Sequence, residues 1–248
     1  MAPLPFSPAP SSIIGEVQSA AQIVGQRVEF PSNAHTCQGY FAGKGPAVVV
    51  IQEYWGLVPH IQDVVERFAK EGFAAIAPDL YHGKTAKSPD EAGRMLMEID
   101  ADRAEREIAG AGEWLLKQPS NTSKTYGVVG FCMGGALAQY TGTKEAAKVG
   151  AVVSFYGGFR KLQMDWNNLR APILLIYGEK DQGVPPEQGR QLEQQLKKSG
   201  RKVEMVVYPG AGHAFFNDTR KEVYKPDAAA DAWKKTIDLF RAALTPSR

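Results

Sequence analysis

The sequence predicts an α/β fold, with a mostly parallel, twisted sheet and helices on both faces. Three observations predict it. Short, continuous apolar runs alternate with longer runs whose apolar residues recur at helical spacing. Several of the short runs are apolar at every position, as expected of strands buried on both faces. Finally, Glu53, Asp79, Cys132, Tyr156, Asp181 and His213 all fall just past the end of a predicted strand. Open parallel sheets place their sites at those ends.

Taken in order, residues 1–23 are rich in Pro, Ser and Ala and read as a loosely ordered arm, leaving 24–248 as one domain. Val24 to Phe30 and Thr36 to Phe41 alternate enough to be two edge strands joined by a turn. Pro46 to Gln52 is a buried strand. Pro59 then opens a helix whose Ile61, Val64, Val65 and Phe68 form one face, and Gly72 stops it. Phe73 to Pro78 is the next strand. Ser88, Pro89 and two early acids start a helix through Ile99, and a longer helix follows from Asp100 to Lys117. Beyond it come strands at Tyr126–Phe131, Val149–Phe155, Pro172–Tyr177 and Lys202–Tyr208. Helices are expected after Cys132, over Pro185–Lys198 and over Asp227–Leu244.

The totals exclude several classes. At 248 residues, one large domain suffices. The 29 basic and 27 acidic residues nearly cancel, so no strong field points to nucleic acid or an anionic membrane. Two cysteines make no disulfide framework, and four scattered histidines show no metal-ligand spacing; neither a metal nor a cofactor is expected. No secretory signal or membrane-length apolar run is seen. A cytoplasmic monomer acting on a small molecule is the expectation.

The chemistry centres on Gly130-x-Cys132-x-Gly134, lying between a strand and a small-residue helix. That is the spacing of a nucleophile elbow, with cysteine at the apex. Glycines flank it because a Cβ there would collide with the neighbouring strand or helix. The helix N-terminus favours a thiolate and a developing oxyanion. A thiol nucleophile needs a base and a group to orient that base. Only His213 follows Cys132, in a Gly-Ala-Gly-His loop past the last strand, and Asp181 follows another strand. The order Cys132, Asp181, His213 is the nucleophile–acid–histidine order of the α/β-hydrolase fold.

With these residues in place, the sequence resembles the dienelactone hydrolase family of carboxymethylenebutenolidase-like enzymes. The matching stretches are Gln52-Glu53-Tyr54-Trp55-Gly56, Ala77-Pro78-Asp79-Leu80-Tyr81, Gly130 to Gly135, Gly178 to Asp181 and Gly210 to His213. The resemblance implies a Cys132, Asp181 and His213 triad, with Glu53 placed against the nucleophile. It also implies an oxyanion hole made by the Met133 and Tyr54 N–H groups. The expected reaction opens a lactone or cleaves a small ester through a thioester. Trp55, Tyr81, Lys84, Tyr156 and Phe215 are candidate substrate contacts. The family's two carboxylate-binding arginines are missing: one loop reads His82-Gly83-Lys84, and the position four past His213 is Asn217. Lys84, Arg220 and Arg160 are the possible substitutes. Cys37 has no acid or base pattern beside it and reads as structural. The alternatives are a thioesterase or acyltransferase on the same residues, and a non-catalytic binding domain.

Overall fold

The computed structural model describes residues 24–32, 35–158 and 162–245. The arm expected over 1–23, and Arg160, lie outside them. The eight strands are β1 (Gln26–Ser32), β2 (His35–Gly43), β3 (Ala47–Ile51), β4 (Ala74–Pro78), β5 (Tyr126–Phe131), β6 (Val149–Phe155), β7 (Ile173–Gly178) and β8 (Val203–Tyr208). They form one sheet in the order β1-β2-β4-β3-β5-β6-β7-β8. The β1–β2 and β2–β4 pairings are antiparallel, and every pairing from β4 through β3 to β8 is parallel.

Six helices connect the strands: α1 (Pro59–Lys70), α2 (Pro89–Glu98), α3 (Ala101–Leu116), α4 (Met133–Lys144), α5 (Pro186–Lys198) and α6 (Pro226–Leu244). The strand alternation sorts them into two layers. In β3, Val48 and Val50 face one core with α1 and α6, while Ala47, Val49 and Ile51 face the other with α3, α4 and α5. All five of these residues are fully buried, which is why the run shows no polar alternation. The apolar stripe of α1 packs as its spacing predicts: Ile61, Val64, Val65 and Phe68 are all enclosed. Ser88 caps α2 by accepting the Glu91 N–H, and Asp100 caps α3 by accepting the Arg103 N–H.

One expectation needs correction. Only β1 is an edge strand of the pair, because β2 also bonds β4, from Gly39 opposite Pro78 to Gly43 opposite Ala74. One face of β2 packs on α1, and on the other Cys37 and Phe41 reach the core that holds α3, Phe41 edge-on against Trp114. A short 3-10 turn at Trp166–Asn168, absent from the sequence reading, is closed by the Asp165 carboxylate. Among the described residues, no helix is long and apolar enough to cross a membrane.

Candidate active site

The strand-to-helix turn at Cys132 is set by backbone contacts. Cys132 adopts φ 55 and ψ −117, a conformation that non-glycine residues rarely hold. It is tolerated because α4 lies against the ends of β3, β5 and β6. A Cβ on Gly130 would stand 2.0 Å from the Gly134 carbonyl oxygen. One on Gly134 would stand 2.4 Å from the Ile51 oxygen, and one on Gly135 would stand 2.7 Å from the Phe155 oxygen. Real Cβ atoms do not approach backbone so closely, so the glycines are required sterically.

His213 comes to the thiol from the loop after β8. Its Nδ1–H donates to Asp181 Oδ2 over 2.7 Å, which leaves Nε2 as the acceptor nitrogen. Asp181 is fully enclosed. Its other oxygen accepts the Gly183 and Val184 N–H groups at 2.9 and 2.8 Å, so it organises its own turn while holding the histidine. It does not cap α5, whose N-terminus has no side-chain cap. Burial opposes charge on His213, but the bond to Asp181 and the influence of Cys132 outweigh it and push the imidazole up to about 10.

Glu53, at the end of β3, is 2% exposed. The resemblance implies that Glu53 is placed against Cys132, but no hydrogen bond joins the two among the described residues. Glu53 Oε2 instead accepts from Asn217 Nδ2 at 3.0 Å. The physical reason is that a buried carboxylate needs a fixed donor, and Asn217 is fixed. Its Oδ1 accepts the Thr219 N–H at 3.1 Å and the Thr219 hydroxyl at 2.6 Å. Asn217 and Thr219 were missed as site residues. The signal was the Asn217-Asp218-Thr219 turn pattern, which fixes an amide locally.

The Met133 and Tyr54 N–H groups have no acceptor among the described residues. Met133 begins α4, where helix donors go unpaired. Tyr81 reaches the same place, its hydroxyl 3.5 Å from Met133 Sδ, and burial raises its pKa. Tyr156 is enclosed beside His213, with ring centroids 4.9 Å apart, and its hydroxyl has no partner among the described residues. Burial, then Glu53, raises that hydroxyl well above the usual range. Trp55 is half-buried and packs edge-on against Tyr54.

Two candidate contacts are not brought to the thiol. Phe215 is fully buried behind Tyr156, packed between it and Tyr208, because Ala214 (φ 60) turns the chain into the core. It offers a substrate no surface. Lys84 is exposed and lines a groove of ≈ 300 Å³ with Tyr81, His82, Met95, Glu98 and Arg103, away from His213. Arg220 lies closer: its positive charge offsets part of the upward push on both the Tyr54 and Tyr156 hydroxyls.

Comparison with known proteins identifies the family of this chain. Residues 34–244 match the dienelactone hydrolase family. "Protein usf" of Aquifex pyrophilus is 39% identical over 231 residues, covering 90% of this chain and all of its own. An Aquifex aeolicus protein named "Putative carboxymethylenebutenolidase" is 35% identical over 230 residues, covering 89% of this chain and all of its own. A dienelactone hydrolase-like promiscuous phosphotriesterase from metagenomic libraries superposes with a TM-score of 0.79. At 24% identity, and with 90% and 100% of the two chains covered, it attests the α/β-hydrolase fold alone. From the family match and two relatives aligned over their full length, this chain belongs to the dienelactone hydrolase family and is a hydrolase.

Proposed function

We propose that the protein is a cysteine-nucleophile hydrolase that opens a lactone, or cleaves a small ester, through a thioester acyl-enzyme. The observation that carries this reading is the Asp181–His213 bond beside a thiol held at a strained elbow. Asp181 keeps the proton on Nδ1, so His213 Nε2 takes the Cys132 proton. The thiolate sulfur attacks the carbonyl carbon, and the carbonyl oxygen becomes an oxyanion. The Met133 and Tyr54 N–H groups, lacking other acceptors, receive that oxyanion. Collapse breaks the carbon–oxygen bond, and the enolate or alkoxide takes the proton from His213. Water, deprotonated by the same nitrogen, then attacks the thioester and releases the acid and Cys132.

Glu53 is a positioning group in this scheme. Bonded to Asn217, its carboxylate leaves the thiol to His213; swung towards Cys132, it would oppose the thiolate by like charge. Arg220 is the cation we assign to a substrate carboxylate, in place of the missing arginines. The substrate is a small neutral or monoanionic ester or lactone.

The test follows the ultraviolet loss of a dienelactone and the release of p-nitrophenol from its acetate, with wild type beside Cys132→Ala. Turnover of either compound that vanishes in the variant is expected. Equal rates for the two proteins would overturn Cys132 as nucleophile.

A further inference from the structure

A second cluster of reactive side chains lies outside the site described above, on the face of the sheet covered by α3. His35 and Cys37 stand two residues apart on β2, so the pleat directs both side chains to that face. Glu107 meets them from α3, which packs so closely on β1 that a Cβ on Gly110 would stand 2.9 Å from the Pro31 oxygen. His35 Nε2, Cys37 Sγ and a Glu107 carboxylate oxygen all lie within 4.8 Å of one another. His82 arrives from the loop after β4, held in a left-handed conformation (φ 53) that turns it back over the same carboxylate. Its Nε2 is 3.0 and 3.1 Å from the two Glu107 oxygens, and His35 Nε2 is 3.3 Å from Oε1.

We propose that His35, Cys37, His82 and Glu107 form a binding site for a divalent transition metal of the zinc class. Two imidazoles, a thiolate and a carboxylate are the donors that zinc takes, in the number it takes. Ligand atoms around a tetrahedral zinc stand about 3.3–3.8 Å apart, so His35, Cys37 and Glu107 must draw together by about 1 Å and His82, already on Glu107, must turn in further to join them. They can do so, because the side chains of His35 and His82 are 45% and 44% exposed and free to move inward.

Charge neutralisation alone does not account for the arrangement. Glu107 is 1% exposed and already has Arg103, four residues earlier on α3, with Nε 3.7 Å from Oε1. That pairing would leave unexplained why two histidines from separate segments aim the same nitrogen at one buried carboxylate. It would also leave unexplained the thiol enclosed beside them. A metal takes the place of the Cys37 thiol proton, which leaves to solvent. Both imidazoles then present the Nε2 lone pair and keep their proton on Nδ1. Bound there, the metal would tie the β1–β2 hairpin, α3 and the loop after β4 together. Tyr81 of that loop touches Met133, so the clamp steadies one wall of the candidate active site.

The experiment titrates the full chain, free of any histidine tag and stripped by a chelator, with Co²⁺. A Cys132→Ser background leaves Cys37 as the one thiol. One equivalent should produce a near-ultraviolet thiolate-to-cobalt charge-transfer band that Zn²⁺ abolishes by displacement. Cys37→Ser should lose the band, and His35→Ala and His82→Ala, both at exposed side chains that folding tolerates, should each weaken binding at least about 10-fold. Metal should also raise the melting temperature of wild type but not of His35→Ala. Absence of a saturable band, or a band of equal affinity in both histidine variants, would overturn the proposal. The readouts are cobalt absorbance and affinity in a background without Cys132, so failure of Cys132 as nucleophile would leave this test unmoved.

Discussion

Asn217→Leu tests whether Glu53 is held as described, and the structure sets the magnitude. Glu53 is 2% exposed, and its one donor among the described residues is the Asn217 amide at 3.0 Å. A hydrogen bond to a charged group contributes about 1.5–3 kcal/mol, and stranding a buried charge costs more than the bond itself. Leucine matches asparagine in size but donates nothing, so the single variant should lose about 3 kcal/mol. Glu53→Gln keeps an acceptor for the amide and should lose about 1 kcal/mol. The double variant carries a neutral amide rather than a stranded carboxylate. It should therefore be more stable than the sum of the singles implies, by at least about 1.5 kcal/mol. Urea unfolding of the four proteins measures the cycle. Additivity within about 0.5 kcal/mol would refute the coupling, and with it the account of how Glu53 is kept off the thiol.

Gly134→Ala should cost about 3 kcal/mol, because its Cβ would meet the backbone oxygens of Ile51 and Gln52 at 2.4 and 2.5 Å; unchanged melting would contradict the elbow packing. His213 is raised to about 10 in the fold, so its contribution to stability is complete below the ordinary value of 6.5 and fades as pH rises through about 10. The melting difference between wild type and Asp181→Asn should shrink over that window, and a flat difference would argue against the pairing. Glu105 is raised to about 7, first by burial and then by Glu145, and its Oε1 has no partner among the described residues. Its folded value exceeds 4.5, so stability present at low pH is lost as pH rises through about 7. Glu105→Gln should stabilise by about 2–3 kcal/mol at pH near 8 and by under about 1 kcal/mol at pH near 5, which paired melts would check. Arg220→Ala should raise KM about 10-fold for a carboxylate-bearing lactone and leave p-nitrophenyl acetate unaffected, and an equal effect on both would remove Arg220 from substrate recognition.

The framework was legible where burial is symmetric. A strand covered on both faces, such as Val48-Val49-Val50, has no position that tolerates polarity, so its run needs no tertiary information to be seen. The elbow was legible for a related reason, since contacts of 2.0–2.7 Å with backbone admit only glycine and leave a fixed spacing in the chain. What failed depended on which segments meet. Thr36–Phe41 reads as an edge strand because its alternation records a half-polar face, but not which strand bonds its other side. Asn217 was noticed for lacking an arginine, while its bond to Glu53 spans 164 residues and has no local trace. The cluster at His35, Cys37, His82 and Glu107 draws on three segments, so no ligand spacing could announce it.

These cases bear on how the strained elbow persists. A non-glycine residue at φ 55 costs about 1–3 kcal/mol locally, and the residues next to it in sequence offer nothing to offset that. The offset lies across the sheet. The Cys132 N–H donates to the Phe155 oxygen at 3.0 Å, Gly134 abuts β3, and Gly135 abuts the end of β6. Phe131 and Phe155 then pack against one another and against Phe216, three residues past His213. The candidate nucleophile and the segment carrying its candidate base thus rest on one aromatic cluster. Fully burying each such ring contributes about 1.5–3 kcal/mol, so the cluster as a whole exceeds the strain it must hold. The elbow that carries Cys132 and the segment that carries His213 are therefore held by the core beneath them.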